Sequence, residues 1–365
     1  MSGTFGNKLH LSIFGESHGP AIGFLADGFP AGEEIDLAAL SRFMARRSAA
    51  GKAYATGRKE PDALHFLSGF LDGRILSSPL CVMIENTAQR SADYAALRDV
   101  PRPGHADYPA YARHGENVDL RGGGHYSGRL TAPLCAAGGI AIQMLKKRGI
   151  EVFSHILSIH GIADSPFDPV SVGEREHDIL EASAFRTLDE KAGEQMLAEI
   201  QKAQEKGDSV GGVIECAVTG LAAGSCGEHI FDGLDGHIAQ ALFGVPAVKG
   251  VEFGEGFACA SLFGSENNDP YRVDEEGNIT CTSNHAGGIL GGMASGMPVI
   301  IRAAVKPTPS IYLAQESISL KDRENRELKI EGRHDPCIVA RATPCIESAV
   351  ALAVLDALLD SQGGF

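Results

Sequence analysis

An acid, a hydroxyl and an imidazole stand side by side near the amino terminus, where Glu16, Ser17 and His18 lie between two glycines. The five residues fit G-x-S-x-G, the pattern of a hydrolase nucleophile elbow. An elbow requires a strand, a turn and then a helix, with an oxyanion-hole loop earlier in the chain. Only fourteen residues precede Gly15, and a second strand pattern follows the motif. We therefore favour a site that uses His18 over one that uses Ser17 as a nucleophile, and the alternative for His18 is a core or turn histidine.

Two further clusters combine charged side chains with glycine. In the segment RPGHAD, His105 and Asp107 lie two residues apart, which fits a functional pair and equally fits a capped turn. The segment RGGGHYSGRLT begins at Arg121 and leads into an apolar helix pattern. Glycines before a helix N-terminus, with Ser127 and Arg129 nearby, are typical of an anion site, and a flexible glycine loop is the alternative. The segment does not fit the P-loop or dinucleotide fingerprints.

Three later segments have a similar character. SNHAGGILGGMASG, residues 283–296, passes from polar to small residues, so a flat ring could lie against its backbone. KPTPS, residues 306–310, places a cation and two hydroxyls on a loop after an apolar strand pattern. GRHDPC, residues 332–337, places Arg333 two residues from Asp335, and this pair is either a functional one or a surface ion pair of little energetic value.

The charge distribution indicates an anionic ligand. The formal net charge of −15 argues against nucleic acid as a partner. Residues 1–130 nevertheless hold 14 Lys+Arg and 14 Asp+Glu, so the surplus of acid lies entirely after residue 130. The first third of the chain is thus relatively rich in cations. With 45 glycines in 365 residues, the sequence also predicts many close backbone turns.

These clusters require strands and buried helices to position them. Apolar patterns predict strands at 10–14, 22–26, 64–70, 80–84, 151–160, 212–219 and 299–305, with a loop-rich section at 86–127. Asp36 is the expected N-cap of a helix that ends near Arg47, and Thr187 with Glu190 predicts a capping box for a helix that ends near Gly207. Helices at 131–148 and 346–359 are apolar on most faces and should be buried. We expect an α+β fold in one domain, residues 1–365, with helices between sheets.

The eight cysteines show no C-x-x-C spacing, which favours reduced thiols over a disulfide framework or a metal site. The sequence shows no basic and apolar leader at Met1 and no run of 18 apolar residues. We therefore expect a cytoplasmic protein that binds no membrane and no metal.

In this order and across nearly the whole chain, FGESHG, RPGHAD, RGGG..S.R.T, SNHAGGILGG, KPT.S and GRHDPC resemble the signature segments of the chorismate synthase family. The resemblance implies a β-α-β sandwich that assembles as a homotetramer. It also implies a lyase that converts 5-enolpyruvylshikimate 3-phosphate to chorismate and phosphate, the last common step of aromatic amino acid biosynthesis. Reduced FMN is required by the family and is not consumed. We expect an external flavin reductant, with NADPH acting only indirectly.

The resemblance also assigns roles to residues. His18 matches the histidine beside the departing phosphate, His105 the histidine near the reduced flavin, and Asp335 the carboxylate that works with flavin N5. The implied substrate-binding residues are Arg47, Lys52, Arg129, Arg333 and Ser17. The implied FMN-binding residues are Ser127, Ala247, Gly291, Lys306, Pro307, Thr308, Pro309, Ser310 and Arg333.

The sequence departs from the family pattern at a few positions near these residues. Ala53 stands where a second arginine is common, with Lys52 adjacent, and Pro246 stands where asparagine is frequent. His125 and Tyr126 replace two residues of the segment that the family usually writes RSSARET. The alternative hypothesis is a non-catalytic protein that binds a phosphorylated metabolite in a degenerate pocket.

Overall fold

The structure is a computed structural model and describes residues 3–48, 62–87, 99–330 and 334–361. Within these residues the chain forms two five-stranded antiparallel sheets with helices between them. The strands of the first half are β1 (Thr4–Phe5), β2 (His10–Gly15), β3 (Ala21–Asp27), β4 (His65–Ser68), β5 (Phe70–Leu71), β6 (Arg74–Ile75), β7 (Leu80–Glu85), β8 (Glu151–Ile159) and β9 (Ile162–Ala163). Those of the second half are β10 (Gly212–Thr219), β11 (Val248–Phe253), β12 (Tyr271–Val273), β13 (Ile279–Cys281), β14 (Ile289–Leu290), β15 (Met293–Ala294), β16 (Val299–Val305), β17 (Gln315–Ile318) and β18 (Asn325–Leu328).

The first sheet has the strand order β1-β2-β3-β7-β4, and the second has the order β11-β16-β10-β8-β9. Four two-stranded ribbons, β5-β6, β12-β13, β14-β15 and β17-β18, lie outside them. In β7, Leu80, Val82 and Ile84 are buried and alternate with more exposed residues. This alternation is typical of a sheet that packs one face against the core.

The helices are α1 (Leu37–Arg47), α2 (Asp107–His114), α3 (Thr131–Lys146), α4 (Glu174–Ala182), α5 (Glu190–Glu205), α6 (Leu234–Gly244), α7 (Gly264–Asn267) and α8 (Val339–Asp360). Helices α3 and α8 pack against each other between the two sheets. A Cβ at Gly138 of α3 would lie 2.2 Å from the Cβ of Ser348 in α8, so only glycine permits this close crossing. The α+β sandwich predicted from the sequence is confirmed.

Helix α8 is the single helix among the described residues that is long and apolar enough to cross a membrane, but 83% of its apolar window is buried inside the protein. It begins at Val339, earlier than the predicted start near residue 346, and it contains Pro344. A proline cannot donate the helical hydrogen bond to the carbonyl four residues earlier. The hydroxyl of Thr343 donates to that carbonyl, the Ala340 oxygen, at 3.0 Å. This local substitute explains why the helix continues through the proline.

One local prediction was wrong. Helix α5 is capped by Asp189, whose carboxylate accepts from Lys191 N at 2.9 Å, so the predicted Thr187 and Glu190 capping box is not used. Thr187 is buried instead. The section expected to be loop-rich contains helix α2, which begins at Asp107.

Candidate active site

The turn between β2 and β3 carries Ser17 and His18 and is fixed by the end of β7. Asn86, which follows β7, donates its side-chain amide to the Glu16 carbonyl at 3.0 Å and to the Gly19 carbonyl at 2.8 Å. Gly19 N also donates to Glu16 O at 3.0 Å. The side chain of His18 is consequently held in a tight turn, and the residue is only 6% exposed.

Two consecutive glycines bring His18 and His105 together, although 87 positions separate these histidines in the sequence. Gly122 and Gly123 have φ angles of 60° and 89°, which favour glycine. A Cβ at Gly122 would lie 2.2 Å from Cε1 of His18, and one at Gly123 would lie 2.9 Å from Cε1 of His105. The glycine turn therefore contacts both imidazole rings and leaves no space for a side chain at either position.

The same turn is attached to the His18 loop through its backbone. Gly124 accepts from Ser17 N at 3.0 Å, and the Nδ1 atom of His125 lies 2.8 Å from the Gly15 carbonyl. His125 departs from the family pattern noted in the sequence. Its contact shows that the substituted residue anchors the glycine turn.

His105 is oriented by a buried ion pair. Its Nδ1 lies 2.6 Å from Oδ1 of Asp107, and the guanidinium of Arg102 contacts both oxygens of that carboxylate at 2.7 and 2.8 Å. Burial opposes ionisation of Asp107, but the hydrogen bonds from Arg102 and His105 outweigh it and hold the pKa of this carboxyl well below its ordinary value. An ionised Asp107 favours the tautomer of His105 with its hydrogen on Nδ1, and an ideal Cβ at Gly123 would lie 3.0 Å from the Nε2 atom.

The lowered pKa of Asp107 predicts a pH-dependent contribution to stability. A depressed pKa stabilises the fold above the ordinary value of 3.8, and this stabilisation is lost as the pH falls toward the folded-state pKa. We expect Asp107→Asn to lower the free energy of unfolding at pH 7 by about 2–4 kcal/mol and to lessen its decline below about pH 4. Urea unfolding at pH 7 and pH 3 measures both effects. If the free energy of unfolding of Asp107→Asn fell between pH 7 and pH 3 as much as that of the wild type, the lowered pKa of Asp107 would be contradicted.

A second part of the site consists of two buried arginines, Arg47 and Arg129, and the carboxylate that they share. Arg47, at the end of α1, donates Nε to the Thr131 hydroxyl at 2.8 Å and Nη1 to Asp62 at 3.0 Å. Arg129 donates Nε to Asn86 at 3.1 Å and pairs through Nη1 with the other oxygen of Asp62. The side chains of the two arginines are 5% and 6% exposed. Two guanidiniums thus share one carboxylate at the start of α3.

Asp335 lies near Arg47, to which it is linked through Arg341. It forms an ion pair with Arg341 of α8, whose Nε donates to the backbone carbonyl of Arg47 at 2.9 Å. Arg46 points away from Arg47 and binds Glu347 of α8 through hydrogen bonds of 2.7 and 2.6 Å. Helix α8 therefore fixes the end of α1 on both sides.

The loop after β16 contacts the His105 cluster. Lys306 Nζ donates to the Gly104 carbonyl at 2.9 Å, and Arg102 Nη1 donates to Ser310 Oγ at 3.4 Å. Burial, together with the charge of a nearby lysine, lowers the pKa of Lys306. Lys306 N donates at 3.0 Å to the carbonyl of Ala247, which has an unusual φ of 76° for a residue with a side chain. Lys306 and Ser310 thus contact the neighbours of His105 in the chain, and Ala247 is bound to the backbone of Lys306.

Of the other expected site residues, Pro309 and Ser127 lie near His105, whereas Gly291 lies in a separate turn. The Cβ atoms of Pro309 and Ser127 are each 3.5 Å from the ideal Cβ positions of Gly104 and Gly123, respectively. Gly291 lies in the β14-β15 turn, next to a glycine that contacts Glu228 and Gly233. These contacts do not connect Gly291 with the two histidines. Lys52, Ala53 and Arg333 lie outside the described residues.

Comparison with known proteins identifies the family. The model of the family described as chorismate synthase matches residues 9–359. The chain belongs to the chorismate synthase family. A chorismate synthase from Lancefieldella parvula is 46% identical over 369 residues, covering 98% of this chain and 96% of that protein. One from Methanosarcina acetivorans is 42% identical over 362 residues, covering 99% of this chain and 97% of that protein.

The fold of the chorismate synthase family is found independently in a solved structure. A crystal structure of chorismate synthase aligns with a TM-score of 0.77 and 28% sequence identity, covering 98% of this chain and 94% of that chain. The motifs quoted from the sequence therefore identified the family correctly.

Sequence reasoning missed Asn86 and Asp62 in this chorismate synthase family site. Asn86 follows a clear strand pattern, and a polar residue at a strand end is a weak signal that could have drawn attention to it. Asp62 lies in a charged stretch, RKEPD, in which nothing distinguishes it from its neighbours. Arg102 belongs to the RPGHAD motif, but the motif alone does not indicate its role.

Proposed function

We propose that the two histidines and two arginines of this site carry out the elimination that makes chorismate. The chain is a chorismate synthase, a carbon-oxygen lyase acting on a phosphate ester. The reaction is the anti-1,4-elimination of phosphate and a ring hydrogen from 5-enolpyruvylshikimate 3-phosphate. The observation that carries this proposal is the glycine turn, which holds His18 and His105 beside each other and next to buried cations.

The substrate carries two carboxylates and a phosphate, so binding it requires fixed positive charges. Arg47 and Arg129 bind these groups, because a guanidinium can donate two parallel hydrogen bonds to a carboxylate or phosphate. Ser17 lies beside His18 and supplies a further hydrogen bond to the substrate. Lys52 and Arg333 add positive charge by the family match.

His18 acts on the leaving group. Departure of phosphate from a ring carbon develops negative charge on oxygen, and a protonated imidazole beside that oxygen lowers the barrier. The close contacts with Gly122 and the tight turn hold the ring of His18 in one place. Such pre-positioning contributes because the ring does not have to be ordered during the reaction.

His105 lies against Gly123, the glycine next to the one that contacts His18. Its Nδ1 proton is directed to Asp107, so Nε2 is the atom that can accept or return a proton at the cofactor. By the family match, Asp335 is the carboxylate that works with flavin N5, and its pairing with Arg341 keeps it close to the Arg47 backbone.

The residues fit a flavin. The hydroxyl oxygen of Thr308 is buried and has no hydrogen-bond partner among the described residues, which suits a bound group. The FMN would be held by Ser127, Ala247, Gly291, Lys306, Pro307, Thr308, Pro309 and Ser310, with Arg333. When bound, reduced FMN would supply an electron to the allylic system of the substrate and would recover that electron, with a proton, from the ring hydrogen that leaves. An external reductant keeps it reduced, and NADPH serves only indirectly.

Arg129→Ala tests the division between substrate and cofactor residues. We expect the KM for 5-enolpyruvylshikimate 3-phosphate to rise by about tenfold to a hundredfold, because a buried charge-assisted contact is lost. The dissociation constant of FMN, titrated with and without substrate, should differ from the wild-type value by less than about threefold. The reverse pattern would assign Arg129 to the flavin.

The assembly and location complete the proposal. We propose a homotetramer, and strongly exposed apolar side chains support it: Phe231 at 94%, Phe257 at 84%, Phe263 at 77%, Ile279 at 76% and Val273 at 69%. One core cluster that includes residues of both sheets supports a single domain over residues 1–365. All eight cysteines are free, which supports a cytoplasmic location.

A further inference from the structure

Asp62 is a carboxylate shared by the two substrate arginines. Its Oδ2 accepts from Nη1 of Arg47 at 3.0 Å, and its Oδ1 pairs with Nη1 of Arg129. The side chain of Asp62 is 7% exposed, so this three-residue group is almost closed to water. Each carboxylate oxygen serves one guanidinium, which sets the spacing between the two cations.

The two buried guanidiniums of Arg47 and Arg129 require a negative charge between them, and the Asp62 carboxylate supplies it. Two buried guanidiniums repel each other, and an uncompensated buried charge is strongly unfavourable. The other acceptors described for these groups are neutral oxygens, those of the Thr131 hydroxyl and the Asn86 amide among them. An ionised Asp62 offsets part of the positive charge of the two guanidiniums and holds them in place for an anion.

The backbone of Asp62 is also unusual. Its φ is 45°, in the left-handed region that residues with side chains seldom adopt and that Asp and Asn tolerate best. Such a conformation persists where surrounding contacts hold it, and it is frequent at functional sites. The two ion pairs of Asp62 are contacts of this kind.

We propose that Asp62 is a positioning residue for substrate binding. Its carboxylate holds the guanidiniums of Arg47 and Arg129 side by side, so that one anionic group of the substrate meets both. This inference rests on the proposed function of the two arginines. It assigns Asp62 no contact with the reacting atoms, and its effect on the reaction passes through the arginines.

The test replaces the carboxylate without changing the backbone preference. Asp62→Asn should weaken substrate binding, measured as KM and as a calorimetric dissociation constant, by about tenfold or more. Turnover at saturating substrate and the dissociation constant of FMN should each differ from the wild-type value by less than about threefold. Asp72→Asn is the matched control, because Asp72 is exposed and has a φ of 48°. It should leave all four quantities unchanged.

Asp62→Glu separates the effect of the position of the carboxylate from the effect of its charge. The same variant provides the test if Asp62→Asn does not fold. It keeps the negative charge but moves it by one methylene, so weaker substrate binding with unchanged FMN affinity supports the proposal. Wild-type binding in Asp62→Glu would overturn it. Tighter binding in Asp62→Asn would also overturn it, because Asp62 would then compete with the substrate.

Calorimetry keeps this inference separate from the proposed function. If the wild-type protein bound the substrate without turning it over, the proposed function would fail. A weaker dissociation constant in Asp62→Asn would still support the positioning role. Conversely, an active wild type with unaffected Asp62 variants would overturn the positioning role alone.

Discussion

Replacing His18 with alanine is expected to lower turnover by about two to four powers of ten, the range typical for loss of a general acid. The buried imidazole lies on the turn between β2 and β3, against Gly122, where a leaving phosphate would meet it. Its loss leaves the charge on the departing oxygen without a proton donor. The measurement is anaerobic turnover of 5-enolpyruvylshikimate 3-phosphate with photoreduced FMN.

The control for this variant is His10→Ala, which removes an exposed imidazole from β2 in the same sheet. It should retain wild-type turnover. His18→Ala should keep its unfolding temperature and FMN affinity close to those of the wild type. If both fell together with turnover, the role of His18 would be structural and the acid assignment would be wrong.

Gly122→Ala is expected to lower turnover by about a hundredfold or more without removing any reactive group. The added Cβ would lie 2.2 Å from Cε1 and 2.3 Å from Nδ1 of His18, so the ring must move by more than an ångström to reach ordinary contact distance. A misplacement of this size is enough to produce such a loss. The quantity to measure is kcat at saturating substrate and reduced FMN.

Gly149→Ala is the matched control for this steric effect. Gly149 has a φ of 74°, and a Cβ there would meet nothing within 4 Å. Both variants lose about 1–2 kcal/mol of stability from the left-handed backbone. Only Gly122→Ala should lose turnover, and equal turnover in the two variants would contradict the proposed contact between Gly122 and His18.

The layered fold was predictable because its signals are local. The alternation in β7 and the nearly uniform apolar character of α3 and α8 arise from burial on one face or on all faces. Asp36 was correctly predicted as the cap of α1, and its carboxylate accepts from Ala38 N and Ala39 N. These features depend on residues that are neighbours in the chain.

The arrangement of the site was less predictable because its contacts are distant in sequence. Asp62 pairs with Arg47 and Arg129, which lie 15 and 67 positions away, and no residue type signals such a partnership. The quoted motifs identified His18, His105 and the glycine turn as separate clusters. Their meeting on two adjacent glycines could be seen only once β2, β7 and α3 had been placed.

The central claim is that this site eliminates phosphate from 5-enolpyruvylshikimate 3-phosphate. The most direct measurement incubates the wild-type protein anaerobically with this substrate and photoreduced FMN, and follows phosphate and chorismate together. We predict equal amounts of both products, formed over many turnovers without net consumption of the reduced flavin. Binding of the substrate with no release of phosphate under these conditions would contradict the claim and favour a non-catalytic binding protein.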